Sequence, residues 1–414
     1  MTDFSLPVTV LCGFAGAGKS TVSACVAAHL PQRRIAQLDD VDPASAIRAL
    51  ADAQASDAVI VELPCWTDPI SFVEPFIEAF FDETDPNAEA SPSDVPLAHI
   101  DTVVTVIDAS RFLTDLASSD SLAERGITAA HDDDRTVGEV IIDQVEFCDV
   151  LVINQIDRTD AATIDRLRHL LAKINPRAQQ IVTQFGQVSG DAVVDAGLFD
   201  FEAAASAPGW LVALDHDASA LVHDDAAGAG MLVYRARRPF HPARFFALLH
   251  EEWKGVLRSK GYFWIASRND MAGTLSQAGG TCRHGPAGYW WVAQPADEWP
   301  EDEAFRAEIA HDWLSSLDAK GQETVGDRRQ EIVMIGFELD RDAWRHKLDA
   351  CLLDDAEFHG GPDAWAAFED PFPQWDEDHD HGHDHDHDHD HDHDHRLDDD
   401  SVSGHSGHGS GHRH

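Results

Sequence analysis

The chain has 414 residues, of which 43% are hydrophobic, and carries 75 acidic against 30 basic side chains for a formal net charge of −45. That length and apolar content suit two globular domains with a tail. An acidic surface of this strength repels polyanions, which excludes nucleic acid and anionic membrane as partners.

The opening segment MTDFSLPVTVLCG has no basic stretch ahead of its apolar run, so no signal peptide is expected, and no uncharged apolar run of about 18 residues offers a membrane span. Six cysteines (Cys12, Cys25, Cys65, Cys148, Cys282, Cys351) are scattered without a C-x-x-C pair. That usage fits a reducing cytoplasm and no disulfide framework.

The first predicted strand, 8-VTVLCGF, leads into 13-GFAGAGKST-21, and an apolar helix, 22-VSACVAAHL, follows. Gly13 and Gly18-Lys19-Ser20 fit the spacing G-x-x-x-x-G-K-[ST] in its required strand–loop–helix context. Such a loop lets backbone N–H groups converge on phosphate at a helix N-terminus. Gly13, Gly16, Ala17, Gly18, Lys19, Ser20 and Thr21 are therefore assigned to nucleotide. Lys19 would reach the β- and γ-phosphates, and the Ser20 hydroxyl would ligate Mg²⁺. A second carboxylate is needed for that metal. It is supplied by Glu62 at the end of the strand 58-AVIVELP, with Asp68 just beyond it. Cys65, between them, reads either as a metal ligand beside the nucleotide or as a small buried hydrophobe.

Further apolar strands follow at 100-IDTVVTVIDA, 150-VLVINQID and 180-QIVTQFG, with a surface loop at 82-DETDPNAEASPSDVP. Continuous apolar strands alternating with helices predict an α/β domain with a parallel sheet covered on both faces. In 153-INQID the Asp157 carboxylate would accept from guanine's ring N–H and amine, while Asn154 braces the loop. The same residue types also serve as turn chemistry at a strand end. The expected divisions are a nucleotide domain at 1–215, a linker at 216–230, a smaller α+β domain at 231–356 and a disordered acidic tail at 357–414. Within that second domain Trp253, Trp264, Trp290 and Trp291 read as core, and Cys282 with His284 as a weak candidate ligand pair. Nine histidines alternate with Asp or Gly in the tail: His379, His381, His383, His385, His387, His389, His391, His393 and His395. Imidazoles at that density suit Zn²⁺, Co²⁺ or Ni²⁺ in weak, exchangeable sites.

Taken in order, these segments resemble the CobW/CobW-C family of P-loop GTPases, which includes cobalamin-biosynthesis proteins and zinc metallochaperones. The likeness rests on 13-GFAGAGKST-21, 62-ELPCWTDP-69, 103-VVTVIDASRF, NQID, 175-NPRAQ, 258-RSKGYFWIASR, 275-LSQAGG, 289-YWW and 348-LDACLLDD. It implies GTP and Mg²⁺ as cofactors, slow GTP hydrolysis by Lys19, Glu62 and Asp68, and transition metal, most simply zinc, as cargo for a client metalloprotein. Several departures stand out. The family's C-x-C-C and N-E-F-G-E segments are missing. Leu63-Pro64 and Cys65 replace its Thr-Ser and glycine, and Gln155 replaces the lysine that packs on guanine. These changes leave open a non-hydrolysing, nucleotide-binding metal buffer. An ATP-dependent kinase or ATPase is disfavoured by N-Q-I-D.

Overall fold

The computed structural model describes residues 5–39, 43–81, 96–127, 133–206, 209–214, 227–295, 298–300, 302–303, 305–307, 309 and 325–375. The expected loop at 82–95, most of the linker at 216–230, and the histidines from His379 to His395 lie outside the described residues.

Six parallel strands form the first sheet: β1 (Leu6–Cys12), β2 (Ile35–Leu38), β3 (Ala58–Glu62), β4 (Ala98–Asp108), β5 (Val150–Asn154) and β6 (Gln179–Val182). Their order is β2-β3-β1-β4-β5-β6. Leu11 lies beside Glu62, Val10 beside Val103, and Asp108 beside Asn154. The carboxyl ends of β1, β3, β4 and β5 thus share one edge of the sheet, where a doubly wound fold places its ligand. β1 and β5 are buried throughout, which explains their unbroken apolar sequence. β2, the short IAQL strand, is too brief for its periodicity to mark it in the sequence.

Helices cover both faces: α1 (Lys19–His29), α2 (Ala44–Asp52), α3 (Pro69–Phe81), α4 (Phe112–Leu116), α5 (Val137–Phe147), α6 (Ala161–Ile174), α7 (Phe201–Ser206) and α8 (Gly209–Leu214). α5 begins at a reciprocal cap in which Thr136 and Glu139 satisfy each other's backbone amides. Nine of its residues are buried because α3 and β4 pack on one side and the second sheet on the other.

The second half forms an antiparallel sheet of β7 (Ala229–Ala236), β8 (Val256–Phe263), β9 (Met271–Ala278), β10 (Thr281–Tyr289) and β11 (Gln330–Phe337), ordered β10-β9-β8-β11-β7. α9 (Pro242–Leu249) and α10 (Arg341–Cys351) pack together beside it. Trp264 and Trp290 are buried in its core as expected. The sheet meets the first half through α5, α6 and α8. At that seam Arg258, 2% exposed, forms a two-pronged ion pair with Glu146, Nε to Oε1 at 2.7 Å and Nη2 to Oε2 at 2.9 Å.

Residues 357–375, expected in the tail, are ordered and packed on the second half. α11 (Asp355–His359) and α12 (Gly361–Trp365) follow α10, and Trp365 packs edge-on against Trp264 with centroids 6.0 Å apart. Asp370 then accepts from Ser267 Oγ at 2.7 Å and Arg268 Nε at 2.8 Å. Aromatic residues at 358, 365, 368 and 372 give this acidic stretch enough apolar surface to pack. Among the described residues no helix is long and apolar enough to cross a membrane.

Candidate nucleotide site

The loop between β1 and α1 is shaped by two glycines. Gly13 has φ +145°, and a Cβ there would fall 2.4 Å from the Val106 carbonyl oxygen. Gly18 has φ +100°, and a Cβ would fall 2.6 Å from Asn154 Nδ2. Any larger residue would push the loop away from the strands that carry it. Among the described residues the amides of Gly16, Gly18, Lys19, Ser20 and Thr21 make no hydrogen bond within the protein. Five unpaired donors at a helix start form an anion cradle.

The side chains of the loop are folded onto protein acceptors. Lys19 Nζ donates to Gly13 O at 2.7 Å, and Ser20 Oγ donates to Glu62 Oε2 at 2.8 Å. Burial lowers the Lys19 ammonium from its ordinary range, opposed by Cys65, Cys12 and Glu62 nearby. Glu62 reaches Ser20 because β3 ends level with β1. A hydroxyl and a carboxylate at this spacing are hard oxygen donors, and they fit Mg²⁺ beside a phosphate.

The segment after Glu62 turns away at once. Leu63 is buried and bonds Leu11 O at 3.0 Å. Gln144 Nε2, on α5, donates to the carbonyls of both Cys65 and Thr67 at 3.1 Å. Asp68 is occupied at the start of α3, where its Oδ1 accepts from the Ile70 amide at 3.1 Å. Burial pushes its carboxyl up from the ordinary range. Cys65 is partly buried and sits within electrostatic reach of Lys19. Cys282 and His284 occupy alternate positions of β10, and burial pushes the Cys282 thiol up to about 12. Among the described residues no three His, Cys, Asp or Glu side chains gather around a common point.

On the base side, Asn154 is 2% exposed and bridges two loops. Its Nδ2 donates to Ala17 O at 3.0 Å, and its Oδ1 accepts from the Gly186 amide at 3.1 Å. Gln155 has φ +59°, and its Nε2 donates to Gly16 O at 2.7 Å. The residue that departs from the family's lysine is therefore itself a tie to the phosphate loop. Asp157 is exposed in the turn Ile156–Arg158, and its carboxylate has no hydrogen bond among the described residues. Arg158 lies 3.7 Å from Asp108 Oδ2. Lys19, Ser20, Glu62, Asn154 and the glycines are thus gathered at one sheet edge. Sequence reasoning missed Gln144, Gln155 as a loop tie, and the 183–186 loop that Asn154 holds. Only the Asn-x-x-Asp spacing marked that neighbourhood, because each tie joins residues far apart in sequence.

Residues 35–182 match the family described as CobW/HypB/UreG, nucleotide-binding domain, and residues 229–352 match cobalamin synthesis protein cobW C-terminal domain. The first match begins after the phosphate loop, which the geometry supplies. Zinc-regulated GTPase metalloprotein activator 1 of Dictyostelium discoideum is 32% identical over 338 residues, covering 80% of this chain and 67% of that protein. A zinc chaperone of Mycobacterium tuberculosis (strain ATCC 25618 / H37Rv) is 30% identical over 276 residues, covering 67% of this chain and 62% of that protein. The Zn(II)-bound YjiA GTPase from E. coli aligns over 84% of this chain and 100% of its own, with a TM-score of 0.34 and 14% identity, too remote to bear on the site.

Proposed function

The chain belongs to the CobW family of P-loop GTPases, and from that membership and the pocket at the sheet edge we propose that it binds GTP with Mg²⁺, hydrolyses it slowly, and serves delivery of a transition metal, zinc first, to a client metalloprotein. The observation that carries this is the convergence of five unpaired amides, Lys19, and the Ser20–Glu62 pair at one end, with Asn154 and Asp157 at the other.

In this reading the triphosphate would take the amides of Gly16 and of Gly18 to Thr21, and Lys19 would exchange the Gly13 carbonyl for phosphate oxygen. Ser20 and Glu62 would together hold Mg²⁺, which would supply charge neutralisation of the leaving phosphates. Asp157 selects guanine by accepting from its ring N–H and amine. The segment from Leu63 to Asp68 senses the γ-phosphate. Pro64 offers no N–H and Cys65 has less backbone freedom than glycine, which keeps turnover slow. Asp68 contributes by fixing where that segment enters α3. The second domain docks the client, and the histidine tail gathers Zn²⁺, Co²⁺ or Ni²⁺. The substituted Leu63-Pro64-Cys65 segment also favours a second reading, a metal buffer whose nucleotide sets conformation without being hydrolysed.

The test is calorimetry with GTP, ATP and XTP, followed by phosphate release across a panel of divalent metals. It uses full-length protein and a chain truncated after Trp375, which leaves the packed α11–α12 region intact. Lys19→Ala should weaken GTP by about 100-fold. Asp157→Asn should move preference from GTP to XTP. Unchanged GTP binding by Asp157→Asn sinks the guanine assignment, and no phosphate release under any metal condition selects the buffer.

A further inference from the structure

Phe185 occupies an unusual position. It and Gly186 have φ +55° and +67°, and Gln187 N closes the turn onto Gln184 O at 3.2 Å. Consecutive left-handed residues mark a tight turn of the type normally filled by Gly, Asn or Asp, and a bulky ring there is sterically disfavoured. The ring is 63% exposed, more than any other large exposed hydrophobic side chain, and has no aromatic partner among the described residues. Among the described residues neither local conformation nor an aromatic partner accounts for it.

The turn is nonetheless firmly held. Gly186 N donates to Asn154 Oδ1 at 3.1 Å, Cys25 Sγ donates to Phe185 O at 3.6 Å, and Thr183 Oγ1 donates to Gln187 O at 2.7 Å. Ile156 N donates back to Thr183 O at 3.4 Å, which ties the turn to the segment carrying Asp157. Gly186 also abuts the first turn of α1, where a Cβ would fall 2.9 Å from Val22 N. A costly, exposed residue is therefore carried on a turn tied both to the phosphate end and to the base end of the site.

We propose that Phe185 is the stacking wall of the purine site: its ring covers one face of the base, and the methylenes of Gln155, drawn across to Gly16, cover the other. This rests on the guanine-site reading and deepens it by dividing the labour. Asp157 reads the base edge, whereas a π-face accepts any purine. Phe185 accordingly sets affinity for the nucleoside without setting preference among purines.

The experiment uses the full chain as wild type, Phe185→Ala, Phe185→Trp and Asp157→Asn, with GTP, XTP, ITP and inorganic tripolyphosphate as ligands. Phe185→Ala should bind all three nucleotides about tenfold more weakly, keep their ranking, and bind tripolyphosphate as the wild type does. Phe185→Trp should restore affinity, with its added indole emission quenched on GTP addition relative to the wild-type background. Wild-type GTP affinity in Phe185→Ala overturns the proposal. So does an equal loss for tripolyphosphate, which would mark a merely structural role. The Asp157→Asn arm separates the two ideas. A switch to XTP there with normal binding by Phe185→Ala overturns only the stacking. An unswitched Asp157→Asn beside a tenfold loss in Phe185→Ala overturns only the edge clamp.

Discussion

Single side chains decide the chemistry at the sheet edge. Glu62 Oε2 accepts from Ser20 Oγ at 2.8 Å, and in the proposed reading the two would share the metal. Glu62→Gln keeps a hydrogen-bonding group of the same size but removes the charge. It should slow GTP turnover by about 100-fold while GTP affinity falls less than tenfold, as separated by single-turnover phosphate release and calorimetry. Asp143, on α5, sets a pH dependence. Burial, with Asp68 adding repulsion and Arg258 and Lys260 opposing, pushes its carboxyl up to about 7. The folded chain then holds this proton more tightly than the unfolded chain, so stability falls as pH rises from about 4 through about 7. Asp143→Asn should gain on the order of 2 kcal/mol at pH 8 and nothing at pH 4, measured by urea unfolding at the two pH values. A gain at pH 4 as large as at pH 8 removes the linkage.

α5 is the element on which the two halves meet. Its Gln144 grips the backbone that follows Glu62, while Glu146 is paired with Arg258 of β8 and Glu139 with Arg283 of β10. The segment beyond Glu62 is therefore tied to a helix that is itself fixed to the second sheet. The Arg258–Glu146 pair is buried, so removing one partner strands a charge. Arg258→Ala should cost about 3–5 kcal/mol in chemical denaturation, whereas Arg258→Met with Glu146→Leu should lie near wild type. Equal losses for the single and double variants would mean that the cost comes from packing and not from the stranded carboxylate.

Across the whole chain the dominant quantity is the net charge of −45. Self-repulsion of that size opposes compaction, and salt screens it: the Debye length falls from about 10 Å at 0.1 M to about 3 Å at 1 M. The melting temperature should rise by about 3–6 °C between those salt concentrations, and a maximum at low salt would show that self-repulsion is not the dominant cost. In the proposed reading, carboxylates interleaved with imidazoles would draw divalent cations toward the histidine tail, and capture should fade below about pH 6.5 as imidazole protonates.

The amino-acid sequence by itself determined the phosphate loop, the strand that precedes it, the apolar strands of the parallel sheet, and Glu62, Asn154 and Asp157 at their ends. Each is written in a few contiguous residues whose types and spacing are recognisable without knowing what packs around them. Tertiary structure alone decided that Gln155 and Asn154 tie the base segment to the phosphate loop, that Asp68 is taken up by the start of α3, and that residues 355–372 pack instead of joining the tail. It also decided that α5 lies between two sheets and that Phe185 is left bare in a rigid turn. Those outcomes depend on which distant surfaces meet. Local periodicity records that a face will be buried, but the partner that buries it is chosen by the packing of the whole chain.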